Sequence, residues 1–192
     1  MMRPDQRECD LCDLHKTRTN VVVADDAIRK CGIAIIGEAP GKDEDESSVP
    51  FVGKSGSKLR QYLYKYGKIK LGSNAIVLNT VSCRPPDNRQ PTNREREACS
   101  NWLKLNLKII DPRLVLAVGK VSADTFLETA YGPGVFYSHE YFNEGYENFK
   151  FDVFNIWHPS YLLRNGMKQD MLVPWIKWIK IFSMKARNLN LI

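Results

Sequence analysis

The sequence predicts an α/β fold with three α/β/α layers around a central, mostly parallel sheet of four strands. Three observations predict it. Short continuous apolar runs recur along the chain, segments with helical spacing separate them, and the runs lead into Gly37, Asn79, Gly119 and His158. Apolar runs of this length suit strands buried on both faces. Their alternation with helices implies parallel crossovers with helices on both sides of the sheet.

The elements follow in order. Gly32–Ile36 is the first apolar run, closed by Gly37. From Ser57 to Tyr66 a helical face carries Leu59, Tyr62, Leu63 and Tyr66. Ala75–Leu78 reads as the second strand and ends at Asn79. Asp87 to Thr92 is a polar, proline-bounded loop, after which Thr92 and Glu95 form a capping box that opens a helix to about Leu107. Leu114–Val118 is the third strand, followed by Gly119 and a helix from about Val121 to Ala130. The aromatic stretch Gly132–Gly145 fits a loop or a hairpin. Phe151–Ile156 is the fourth strand and leads directly to His158. The final stretch, with Leu172, Trp175, Ile179 and Phe182 in helical register, is an amphipathic helix that packs on the sheet.

The chain has 192 residues, which suits one domain spanning 1–192 with a single well-buried core. Lys and Arg number 28 against 22 Asp and Glu, a net charge of +6 that favours a polyanionic partner. No apolar stretch reaches the length of a membrane span, and the first residues lack a signal peptide's apolar segment. A cytoplasmic, reducing setting is therefore expected, with no membrane partner. Five cysteines there point to metal or redox chemistry rather than disulfides.

Cys9 and Cys12 form a C-x-x-C pair, and Cys83 and Cys99 a second, wider pair. Four thiolates bind zinc tetrahedrally or hold a cubane iron–sulfur cluster, and spacing does not choose between them. Cys31 abuts the first strand and reads as a small core residue. Gly37–Asp45 is a glycine-bearing turn rich in carboxylates. It is not followed by a phosphate loop, because Ser48 stands where the glycine five residues before Gly53-Lys54-Ser55 is required. In parallel sheets ligands bind at the carboxyl ends of strands. The Gly37–Gly41 turn, Asn79 and His158 all fall there.

These motifs carry a resemblance. The run GEAPGKDEDESSVPFVGKSGSKL resembles the first signature of the family 4, iron–sulfur uracil-DNA glycosylases. LNTVSCRPPDNRQP resembles their second signature and HPSYLLR their third, and the four cysteines fall where that family places its cluster ligands. The likeness runs from Cys9 to about Arg164, in the family's order.

The resemblance implies a monofunctional enzyme that hydrolyses the N-glycosidic bond of deoxyuridine in DNA, releasing uracil and leaving an abasic site. It implies a 4Fe–4S cluster on Cys9, Cys12, Cys83 and Cys99. Such an enzyme flips its target nucleotide into a pocket. Asn79 matches the asparagine that reads uracil, since an amide complements O4 and N3–H but not cytosine's amino group. Phe51 matches the aromatic residue that stacks on the flipped base, Gly37 counts with the substrate-binding residues, and Ala39 stands at the position near the uracil C5 edge where a side chain can exclude thymine. His158 matches the donor to uracil O2, where negative charge gathers as the bond breaks. Glu38 is implied as the group that positions water, with Glu44 as the fallback, because related families carry Asp or Asn where this chain has Ala39. Leu162 and Leu163 match the apolar wedge that fills the space left by the extruded base. Arg164, with Arg84, Arg89, Lys54 and Lys58, matches phosphate contacts. The expected partner is uracil-containing DNA, single- or double-stranded, engaged by a monomer.

Two departures from the family pattern stand out. Ser47-Ser48-Val49 occupies a place where the family usually has a glycine, and Tyr161 follows the His-Pro-Ser turn where smaller residues are common. Two other functions stay open from the residues alone. One is a non-catalytic iron–sulfur DNA-binding accessory protein of this fold, and the other a zinc-bearing nucleotide enzyme.

Overall fold

The computed structural model describes residues 5–24, 28–127, 131–141 and 149–192. Its sheet has five strands: β1 (Ile33–Gly37), β2 (Ile76–Asn79), β3 (Leu114–Val118), β4 (Phe136–Tyr141) and β5 (Phe149–Ile156), ordered β2-β1-β3-β5-β4. The four expected strands are all present and mutually parallel. The fifth, β4, pairs antiparallel with β5 at the sheet edge, from Phe136 opposite Phe154 to Tyr141 opposite Phe149. The aromatic stretch after Gly132 is therefore half of a hairpin. Its alternating pattern is weak because ring side chains pack on both of its faces: Phe136 against Phe154 and Phe182, His139 against Phe126 and Phe151. The rest of the expected loop, 142–148, lies outside the described residues.

The helices are α1 (Lys42–Ser47), α2 (Lys54–Tyr62), α3 (Asn93–Ile110), α4 (Lys120–Asp124), α5 (Pro159–Arg164) and α6 (Gln169–Asn188). The helix expected from Ser57 to Tyr66 starts at Lys54 and passes at Leu63–Gly67 into a π-helical turn that ends with Lys68 in the left-handed region. The helix expected to run to Ala130 is shorter: α4 ends at Asp124, and residue 130 lies outside the described residues. At α3 the capping box forms as predicted. Thr92 Oγ1 accepts from the Glu95 N–H, and the Glu95 carboxylate accepts from the Thr92 N–H and from Arg89. These contacts hold the Glu95 carboxyl well down, at about 2.

Alternation along each strand builds two cores. Ile33 and Ile35 of β1, with Leu116 of β3, face Leu59, Trp175, Ile179 and Phe182 from α2 and α6. Ala34 and Ile36, with Val115, face Leu103, Leu107 and Ile110 of α3. Strands buried on both faces are why these runs read as continuously apolar. Each fully buried side chain of this size contributes on the order of 1.5–3 kcal/mol. A third, smaller cluster joins Leu14 and Val21 of the N-terminal segment to Val81 and Cys83. No helix among the described residues is long and apolar enough to cross a membrane.

Candidate active site

The carboxyl ends of β1, β2 and β5 converge on a cleft of about 530 Å³. Its walls include Glu38, Ala39, Phe51, Asn79, His158 and Arg164, drawn from segments far apart in sequence. Parallel register brings the first of these together, because Gly37 is paired with Asn79 across β1 and β2. Past the strands the turns stay joined: the Thr80 N–H donates to the Gly37 carbonyl, and Thr80 Oγ1 to that of Glu38 at 2.6 Å.

Gly37 is required by close approach. A Cβ there would stand 2.4 Å from Asn79 Oδ1 and 2.5 Å from Phe51 Cζ, inside both side chains. The missing side chain is the space that lets the amide and the ring meet over one strand end. Phe51 adopts φ +55°, in the left-handed region that a non-glycine residue occupies at a cost. Arg60 fixes this conformation by donating to the Pro50 and Phe51 carbonyls, while Gly56 lets α2 lie directly against the Phe51 backbone. Asn79 is nearly buried, and among the described residues no partner engages its amide. A buried polar group left unpaired inside a cleft is set up for a ligand.

His158 caps α5. Its Nδ1 accepts from the Ser160 N–H at 3.2 Å and lies 2.8 Å from Ser160 Oγ, which in turn accepts from Arg164. Burial, with Arg164 nearby, pushes its pKa down to about 4, so the imidazole is neutral at ordinary pH. With Nδ1 used as an acceptor, the ring proton sits on Nε2. The ring stands 6.4 Å from that of Phe51, centroid to centroid. Behind it Gly119, at φ +92°, passes so near that a Cβ would lie 3.0 Å from His158 Cβ. Burial raises the Glu38 carboxyl above its usual range, with Arg96 and Arg164 opposing.

Two site residues stand differently from expectation. Glu44 has both carboxylate oxygens engaged by backbone: one accepts from the Gly41 N–H and the other from the Gly53 N–H at 2.7 Å. It pins the acidic turn to the start of α2 while also lining the cleft. Leu162 is fully buried in the core with α2 and α6. It anchors α5, so the wedge expectation passes to the half-buried Leu163, with the exposed Tyr161 beside it. Among the cations, Arg89 is tied to Glu95 and Arg84 to Asn88, while Arg164 is exposed at the cleft.

Sequence patterns did not single out Ser160, Arg60 or Asp45. Asp45 is buried and accepts from the Thr19 and Asn20 N–H groups, tying the N-terminal segment to α1. A hydroxyl two residues after His158, at a helix start, is the one local signal that would have marked Ser160.

Cys9, Cys12, Cys83 and Cys99 line one small apolar cavity, joined by Leu14, Val81 and the N-terminal turns. Arg18 donates to Cys83 Sγ and Trp102 Nε1 to Cys9 Sγ, both at 3.2 Å. Burial pushes the Cys99 thiol up to about 11 and raises that of Cys83. Among the described residues no group of three or more His, Cys, Asp or Glu side chains is set to hold a single metal ion. Cys31 stands apart, against the α3 side of the core.

Comparison with known proteins accords with this geometry. Residues 26–180 match the family model of the uracil DNA glycosylase superfamily. A type-4 uracil-DNA glycosylase of Thermotoga maritima is 36% identical over 159 residues, covering 83% of this chain and 80% of that protein. The type-4 enzyme of Pyrobaculum aerophilum is 42% identical over 122 residues, covering 64% of this chain and 61% of its own length. That of Archaeoglobus fulgidus is 40% identical over 115 residues, covering 60% of this chain and 56% of its own. The chain thus spans less than two thirds of two of these three relatives. The family match over residues 26–180 and the 36% identity to the Thermotoga maritima enzyme show that the chain belongs to the uracil-DNA glycosylase superfamily, in its type-4 group.

Proposed function

We propose that this protein hydrolyses the N-glycosidic bond of deoxyuridine in DNA, releasing uracil and leaving an abasic site for base excision repair. One observation carries the proposal: the unpartnered Asn79 amide and the neutral His158 share one cleft, with the Phe51 ring beside both. The amide pairs with O4 and N3–H of an everted uracil, and Phe51 offers a face for stacking. As the C1′–N1 bond breaks, uracil leaves with the bonding pair and charge builds on O2. A fixed N–H from His158 Nε2 stabilises that charge, and neutrality keeps it from protonating the base outright. The water oxygen bonds to C1′ and its proton goes to Glu38. Among the described residues no lysine lines the cleft, so strand cleavage through a Schiff base is not expected.

The four cysteines suit a 4Fe–4S cluster. They line one small cavity, and a cubane takes one thiolate at each of its four irons. Burial raises the Cys83 and Cys99 thiols, Arg18 opposes this at Cys83, and the positive charge of bound iron would favour their thiolates. Its role here is structural: the cavity joins the N-terminal turns, the segment after β2 and α3.

The pH dependence tests the role of Glu38. Its carboxyl is raised, so it loses its charge as pH falls through a value above 4.5, whereas His158 stays neutral down to about 4. The value of kcat/KM on a deoxyuridine oligonucleotide should therefore fall on the acid side with Glu38 alone. Glu38→Gln should lower the plateau by about 10²-fold and flatten that limb. An unchanged acid limb in Glu38→Gln would assign the water to another group.

A further inference from the structure

His158 forms part of the wall between two cavities, and only one has been described. The other, about 690 Å³, opens on the far side of the ring, between α4, the Tyr131–Pro133 segment and the start of α5. It lies at the carboxyl ends of β3 and β5, the end of the sheet where ligands bind. Its lining is aromatic: Tyr131, Trp157 and Tyr161, with Trp157 and Tyr161 edge to face at 5.9 Å. Tyr161 is 43% exposed. Lys120 stands at the rim, paired with Asp124, which also accepts from the Tyr131 hydroxyl. Against this lining sits Asn155, 6% exposed, whose Oδ1 is buried without a partner. An orphaned buried acceptor beside aromatic walls has the chemistry of a base-recognition site: faces for stacking and one polar group for an edge.

We propose that this cavity is a second nucleobase subsite, which receives the base adjoining the extruded uracil on the same strand. The proposal rests on the glycosylase reading, since that reading puts the uracil on the opposite side of His158. The neighbouring base stacks on Tyr161 and presents an amino or imino N–H to the Asn155 amide. A base that enters must first leave its own partner, so the subsite selects unpaired, single-stranded substrate at that position. His158 then stands between two seated bases, and the strand is gripped on both sides of the scissile sugar.

Binding of single-stranded oligonucleotides tests this directly. Each carries one deoxyuridine, made non-hydrolysable for the binding measurements by a 2′-fluoro substituent, and an abasic tetrahydrofuran residue replaces its neighbour on the 5′ side, the 3′ side or neither. Base–aromatic stacking of about 1–3 kcal/mol predicts that one of the two replacements raises the wild-type Kd roughly 5- to 150-fold. Tyr161→Ala should bind the intact oligonucleotide with that same penalty and become indifferent to the replacement. Asn155→Leu, of similar volume, should level the Kd differences among adenine, cytosine and thymine neighbours. Wild-type Kd values equal within twofold for all three oligonucleotides would overturn the subsite. Failure to release uracil while the neighbour effect persists would instead overturn the glycosylase reading, so the two failures are distinguishable.

Discussion

Replacing His158 with alanine is expected to lower kcat for uracil release by about 10²–10³-fold, with little change in the folded structure. This is the loss seen when one preorganised donor to a developing anion is removed, about 2.7–4 kcal/mol of barrier. The setting places it at the upper end. The ring is half-buried, neutral and fixed in one tautomer by the Ser160 N–H, so a solvent molecule would not reproduce its fixed donor geometry. His158→Gln retains a donor but lacks the Ser160 anchor, and should recover only part of the loss. Single-turnover rates separate this from a binding defect, since the interaction strengthens only as charge reaches O2. A His158→Ala protein within threefold of the wild-type rate would show that the leaving base is stabilised elsewhere.

The second large effect is expected at the cysteines. If the proposed iron–sulfur centre is bound there, Cys99→Ser should abolish its broad visible absorbance and loosen the N-terminal segment, while the sheet stays folded. The reason is a division of labour visible in the contacts. Both faces of the sheet are filled by apolar side chains that owe nothing to the cysteines. The N-terminal turns have only a small cluster around Leu14 and Val21, the Asp45 contacts with Thr19 and Asn20, and the Gln6 bonds to Ser82 and Asn106. Where ligands come from separate segments, metal affinity becomes folding free energy for those segments. Limited proteolysis should then cut within residues 5–20 of Cys99→Ser and leave the remainder intact. Equal resistance of mutant and wild type would mean that the apolar cluster alone suffices.

Much of this was legible in the sequence because the strongest local signals and the tertiary constraints agree. Buried parallel strands announce themselves as unbroken apolar runs, and the Thr92–Glu95 capping box forms where the residues say it should. The strand ends carrying Gly37, Asn79 and His158 do meet, as the rule for parallel sheets requires. The edge strand β4 escaped because ring side chains on both of its faces blur the alternation. Leu162 and Leu163 looked equivalent in sequence, and only the rotation of α5 turns one into the core and leaves the other at the surface. Glu44 resembled a spare catalytic acid because no pattern shows that the Gly41 and Gly53 N–H groups, nine residues from it at the farther, would both reach it. The Arg60 clamp on Phe51 and the tautomer-setting Ser160 are contacts of geometry rather than of motif.

The most direct measurement is the appearance of free uracil from an oligonucleotide holding a single deoxyuridine, followed by mass spectrometry with matched thymine and cytosine strands as controls. Metal-replete protein should liberate uracil catalytically, leave alkali-labile abasic sites in equal number, and spare both controls. An intact deoxyuridine strand after prolonged incubation with folded, coloured protein would contradict the account.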